Sequence, residues 1–172
     1  MTTRRKNSTW IWFFAFLAAA SVGVAGFMIW FNSRMQLKPE ELEAAMERWR
    51  THGPGDYRLI VTKHVNDNEP DRYEVTVRAR RVIEVRLNGQ RLRDESNEPY
   101  PPGHERLQWY TMHHLLREIE VFLDRDAKEG RRNFNVADFD EETGALRRYV
   151  RRVMGTSRRV EETVQLEPLA SD

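Results

Sequence analysis

Residues 10–31, WIWFFAFLAAASVGVAGFMIWF, hold no charged side chain, whereas 32% of the whole chain is Asp, Glu, Lys or Arg. In helical form the run spans about 33 Å, which matches a bilayer hydrocarbon core of about 30 Å. A cleaved leader, a buried core helix and a retained anchor all begin with such a run. Leaders have apolar regions of about 7–15 residues that end in small residues. Here Ala18, Ala19, Ala20, Gly23, Ala25 and Gly26 sit inside the run, and Phe27, Met28, Ile29, Trp30 and Phe31 continue beyond them. A helix apolar on all sides would need a core to cover it, and residues 35–172 are too polar to supply one. The retained anchor is therefore the expected reading. Trp10, Trp12 and Trp30 fall at the two headgroup levels. Arg4, Arg5 and Lys6 precede the run and Arg34 follows it, a bias that keeps the N-terminus cytoplasmic and exports the remainder.

The polar part alternates between helical and strand periods. LKPEELEAAMERWRTH places Leu42, Met46 and Trp49 on one helical stripe, with Pro39 in the first turn and Gly53-Pro54-Gly55 as the stop. Tyr57, Leu59 and Val61 alternate as a strand, as do Tyr73, Val75 and Val77, then Ile83, Val85 and Leu87. Ala79-Arg80 is the simplest reversal between the last two, although tight hairpins prefer Asn or Gly, and one long strand is the alternative. Asn88-Gly89 is a strong turn signal. Residues 93–108 read as a long proline-rich loop, a place where a partner could touch.

Met112, Leu115, Leu116, Ile119, Phe122 and Leu123 form one apolar helical face behind Thr111 as cap. Phe134 and Val136 alternate, and residues 141–144 form a turn. Leu146, Tyr149, Val150, Val153 and Met154 stand at helical spacing, yet a short turn links them to one strand and the alternation of Val160, Val164 and Leu166 follows, so a strand is preferred over a helix. The expectation is an α+β protein. An N-terminal transmembrane helix precedes one domain with an antiparallel sheet of about six strands and two helices, one packed on the sheet. Its divisions are a cytoplasmic head at 1–9, an anchor at 10–31, a linker at 32–38, the extracytoplasmic domain at 39–168 and a tail at 169–172.

Charge and cysteine usage narrow the chemistry. Residues 35–172 hold 24 basic and 27 acidic side chains, a formal −3, because the first 34 residues take four basic residues and no acidic one. No nucleic-acid partner is expected. The chain has 0 cysteines, which excludes disulfides, thiol nucleophiles and iron–sulfur ligation. No phosphate-loop, dinucleotide, zincin or serine-elbow motif is present, and no cofactor or metal is expected.

Trp49 ahead of Gly55-Asp56-Tyr57, the strand into Leu87-Asn88-Gly89, the helix start at residues 111–116 and FDEETG at residues 139–144 together resemble a bacterial domain-of-unknown-function family of small exported proteins (DUF 6174-like). The resemblance spans nearly all of the polar part. It implies an exported or lipid-anchored domain with closing strands over 146–153, and it carries no activity. Two departures stand out: no cysteine follows Tyr57, and His114 replaces the acidic residue of a capping box.

The sharpest candidate for contact is the basic run Arg147, Arg148, Arg151, Arg152, Arg158 and Arg159, with no acid among them. It suits an anionic envelope component or protein partner; neutralisation by neighbouring glutamates is the competing reading. His104, His113 and His114 are the candidates for an envelope enzyme, although adjacent histidines on a helix point about 100° apart. The many carboxylate pairs, Glu118/Glu120, Asp124/Asp126 and Glu161/Glu162 among them, read as solvated surface. The expected function is a membrane-anchored, non-enzymatic interaction module of the cell envelope. A histidine-dependent enzyme and a homo-oligomeric spacer are the alternatives.

Overall fold

The computed structural model describes residues 8–131 and 133–170. Arg4, Arg5 and Lys6 of the expected head, and residues 171–172 of the tail, lie outside them. The chain divides into two units, at Gln36 and Leu37. The first contains helix α1, Ser8–Met35, which runs past the expected end of the anchor at Phe31. Within it Trp10–Met28 is long and apolar enough to cross a membrane, and none of that window is buried. Trp10, Trp12 and Trp30 are 65%, 74% and 53% exposed, and the Arg34 guanidinium lies 4.8 Å from the Trp30 ring.

The second unit is α+β. Helix α2, Pro39–His52, precedes strands β1 (Tyr57–Val65), β2 (Asp71–Arg78), β3 (Arg81–Leu87) and β4 (Gln90–Arg91). A 3-10 helix, Glu105–Tyr110, leads into α3, Met112–Lys128, and strands β5 (Phe134–Phe139), β6 (Leu146–Arg152) and β7 (Arg159–Pro168) close the chain. All seven strands form one antiparallel sheet in the order β4-β3-β2-β1-β7-β6-β5. The count exceeds the expected six because Asn88-Gly89 folds the chain back far enough for Gln90 and Arg91 to pair with Leu87 and Arg86.

Pro39 at the first turn and Glu41, whose side chain accepts from the Lys38 amide at 3.3 Å, start α2 as its sequence suggests. Leu42 and Ala45 bury beside it, and the Trp49 ring meets Tyr57 edge-on at 5.5 Å. In α3 the stripe Met112, Leu115, Leu116 and Ile119 enters the same buried cluster as Leu59, Val75, Val77, Val82, Val85, Leu146 and Tyr149 from the sheet. The Thr111 hydroxyl accepts from the His114 amide at 3.3 Å, the expected cap.

Several sequence readings need correction, each for a local reason. Val82 and Val85, rather than Ile83 and Val85, take the core positions of β3: Thr76 faces Glu84 but Val77 faces Val82, so Ile83 is the extra residue of a bulge. The strand preferred for residues after 144 is β6, and a second bulge explains the helical spacing of Leu146 and Tyr149. Asp138 faces Arg148 and Phe139 faces Leu146, so Arg147 is extra and both Leu146 and Tyr149 turn inward on a strand. The supposed loop at 93–108 is partly ordered. Arg93 bridges Pro99, Asp94 accepts from the Ser96 and Glu98 amides, and Leu107 of the 3-10 helix is fully buried.

Ala79 and Arg80 do form the β2–β3 turn, at φ +47° and +61°. Asp56 compensates for the unfavourable residues: its carboxylate accepts from the Ala79 amide at 2.6 Å, and the Gly55 carbonyl accepts from the Arg80 amide at 3.0 Å. Asp140 organises the β5–β6 turn in the same manner, accepting from the Glu142 and Thr143 amides and the Thr143 hydroxyl. Gly144 follows at φ +73°, where a Cβ would sit 2.2 Å from the Ala45 carbonyl oxygen of α2. Asp56, Asp140 and Gly144 thus hold the turns and the α2 packing.

Gly89 has φ +82° with open space where a Cβ would go. Gly144→Ala is expected to cost about 2–4 kcal/mol in urea unfolding, through backbone strain plus overpacking, and Gly89→Ala only about 1–2 kcal/mol, through strain alone. Equal costs would show that the turn is not seated against α2.

Candidate functional site

The strand period places charged residues on the buried face of the sheet. Tyr57, Leu59 and Val61 alternate inward along β1 and bring Lys63 to the same face; Val164 and Leu166 do this for Glu162 along β7. Lys63 and Glu162 are register partners across β1 and β7. Their side chains meet at 2.7 Å, with 27% and 5% of each exposed. Glu118 of α3 stands 3.9 Å from the same ammonium. Burial alone would push Lys63 down, but Glu162 and Glu118 more than offset it and hold the ammonium above its usual range. Burial also raises the Glu162 carboxyl, against the opposing pull of Lys63.

This triad lines a cavity of about 490 Å³, within the range of about 300–1,000 Å³ common to small-molecule sites. His114, Glu118 and Val121, spaced by four and three residues on α3, form one of its walls. Tyr73 and Tyr110 form another, their rings 5.3 Å apart. At the mouth Trp109 lies parallel to His114, with ring centroids 6.0 Å apart and 5° between planes. The 3-10 helix sets this arrangement. Leu107 anchors it in the core, and Thr111 both donates to the Gln108 carbonyl and caps α3. Trp109 is 64% exposed and Val121 51%, so two large apolar side chains left in water stand at one cleft.

A larger cavity of about 920 Å³ lies along α2 and the start of α3, lined by Glu40, Glu43, Glu47, His113 and His114 among others. Glu40, Glu43 and Glu47 are exposed, Glu47 is already paired with Arg50 at 2.6 Å, and the buried phenol among its lining, Tyr57, is pushed up to about 12 by burial, with the Met112 backbone pulling the other way. A phenol so placed stays neutral and offers no acid or base near pH 7. The smaller cleft reaches a buried carboxylate, Glu162, with its Lys63 partner and is the better candidate.

Strand alternation divides the arginine run. Arg148 pairs with Glu161 at 2.6 Å, Arg159 with the other oxygen of Glu161 at 2.5 Å, and Arg147 with Asp140 at 2.6 Å. Arg151 turns to the opposite face, where it reaches Asp126 at 2.7 Å and lies 4.5 Å from the Phe122 ring centroid. Arg152 and Arg158 are exposed and have no carboxylate within ion-pair distance among the described residues. His104 accepts from the Arg106 amide and sits against Tyr100, so each of His104 and His114 is engaged locally. No group of three or more metal-ligating side chains occurs among the described residues.

Two acids taken for surface are buried: Glu162 at 4% and Asp126 at 7% exposure. Asp126 accepts from Asn133, Asn135 and Arg151, and Asn135 in turn accepts from the Tyr149 hydroxyl at 2.9 Å. The signal for both was phase. Asp126 is seven residues beyond Ile119 on the apolar stripe, and Glu162 sits in step with Val164 and Leu166. No protein-family model, curated protein or solved structure matches the chain.

Because Glu162 has its folded pKa raised above its unfolded value near 4.3, its ionisation opposes folding, and stability from this group is lost as pH rises through the folded value. Lys63→Met removes the counter-charge and extends that loss upward. The variant should lose about 2–3 kcal/mol at pH 7, below the ~3–5 of a fully buried pair because Lys63 keeps solvent contact. Urea unfolding should show a smaller deficit at pH 5. The same deficit at both pH values would mean that Glu162 does not feel Lys63.

Proposed function

We propose that the chain is a single-pass membrane protein of the cell envelope whose second unit is a non-enzymatic binding module, with the cleft at Trp109 and Glu162 as its ligand site. The observation that carries the binding role is the pairing of exposed apolar groups with buried charge: Trp109 and Val121 stand in water beside a cavity that also reaches Lys63 and Glu162. A stable domain gains nothing from leaving an indole in water, and burying an ion pair is on balance neutral or costly. Both features are expected of a site that a ligand completes.

The anchor reading draws on α1, whose Trp10–Met28 window is long and apolar enough to cross a membrane. Arg4, Arg5 and Lys6 against the single following Arg34 orient it, with the N-terminus cytoplasmic and residues 37–170 exported. Trp10, Trp12 and Trp30 then sit at the headgroup levels. Membership of the exported domain-of-unknown-function family belongs to the same reading. An anionic partner, if engaged, meets Arg152 and Arg158, since the other four arginines of the run already have carboxylate partners.

External protease added to intact cells or spheroplasts should digest the second unit and leave an N-terminal tag protected. The chain should stay with membranes after an alkaline wash. A soluble product trimmed beyond residue 20, or a second unit resistant until the membrane is breached, would contradict the topology. In-cell crosslinking to an anionic partner should fall with Arg152→Ser plus Arg158→Ser and persist with Arg147→Ser plus Arg148→Ser.

A further inference from the structure

The geometry points to an uncharged pyranose saccharide as the ligand of the Trp109 cleft, an assignment that rests on the binding role proposed above. Charge decides first. The cavity is lined by charges of both signs: Lys63 and Arg117, the latter already paired with Glu120 at 2.6 Å, stand beside Glu118 and Glu162. A cationic ligand would meet the ammonium of Lys63, and an anionic one the two carboxylates, each repelled by the half of the set that does not attract it. A neutral ligand meets neither penalty.

The polar groups then ask for a ligand that both donates and accepts in several directions. Carboxylates only accept and an ammonium only donates, while tyrosine hydroxyls do either. A sugar ring carries hydroxyls around its edge that donate to Glu118 or Glu162 and accept from Lys63, and hydrogen bonds to charged partners are the stronger kind. Purely apolar ligands would strip water from these groups and offer them no hydrogen bond in return.

The third requirement is a flat apolar face. Trp109 lies parallel to His114, ring centroids 6.0 Å apart, while 64% of it remains exposed. The axial C–H face of a pyranose is the matching surface, because it buries apolar area on the indole while the ring's hydroxyl edge stays directed at the charged floor.

The test uses the full chain in lipid nanodiscs and isothermal titration with cellobiose, maltose and N,N′-diacetylchitobiose, with tetramethylammonium and inorganic phosphate as charged comparators. At least one disaccharide should give saturable heats. Trp109→Ala should weaken that binding about tenfold or more, the loss of roughly 1.4 kcal/mol of stacking and burial, and Trp109→Phe should restore part of it. Trp109 lies on the surface, so the urea midpoint should not move with either substitution. Saturable, Trp109-dependent binding of tetramethylammonium or phosphate and of no saccharide would overturn the ligand class and leave the cleft as a binding site. No saturable heat from any of the five probes would overturn both. Saccharide binding unchanged in Trp109→Ala would place it elsewhere and also overturn the assignment.

Discussion

The cross-strand pair of Lys63 with Glu162 is the constraint around which the second unit is arranged. Strand alternation gives β1 and β7 no choice: once Leu59, Val61, Val164 and Leu166 turn inward, Lys63 and Glu162 turn inward with them. The inner face is therefore apolar where Val75, Val77, Val82 and Val85 lie and charged farther along. α3 follows this change, since its stripe begins with Met112 and Leu116 and ends with Asp126. Where Asp126 meets Arg151, Asn133 and Asn135, the charges are closed in. Where Glu118 meets Lys63, the contact loosens to 3.9 Å and a cavity opens instead. The same physical demand, a partner for every buried charge, is met at both ends by an ion pair, Arg151 with Asp126 and Lys63 with Glu162, and only the second borders a cavity.

Much of this was legible in the sequence because it depends on period and capping. α2, α3, β1, β2 and the 146–152 strand follow from stripes, alternation and stop signals, and the Ala79-Arg80 turn from simple chain economy. What escaped was long-range. Two bulges, at Ile83 and Arg147, shift phase by one residue and leave no local signature, so Ile83 stood in for Val82 and a strand looked helical. β4 and the bridge from Arg93 to Pro99 needed pairing partners that no window of sequence displays.

The site was less visible than the fold. The arginines cluster in sequence, yet alternation puts Arg148 and Arg151 on opposite faces and nearby acids neutralise most of the run. Meanwhile the cleft gathers Lys63, Tyr73, Trp109, Glu118 and Glu162 from five separate elements or turns. The one available cue was charge in phase with the apolar positions around it, at Lys63, Asp126 and Glu162. Exposed Trp109 gave no cue, since a tryptophan beside a tyrosine in a proline-rich segment is equally suited to a core.

Anchor and cleft supply different parts of the account. The apolar helix bears on where the molecule resides, and the buried charges bear on what its second unit does there. Replacing both members of the central pair with apolar side chains of similar volume, Lys63→Met together with Glu162→Met, and measuring urea unfolding alongside disaccharide titration tests the second directly. If the pair is kept for binding, the double variant is as stable as the parent or up to about 1–4 kcal/mol more stable, and it no longer takes up the sugar. A double variant that is clearly less stable and binds undiminished would show that the pair serves the fold and that the account of the cleft is wrong.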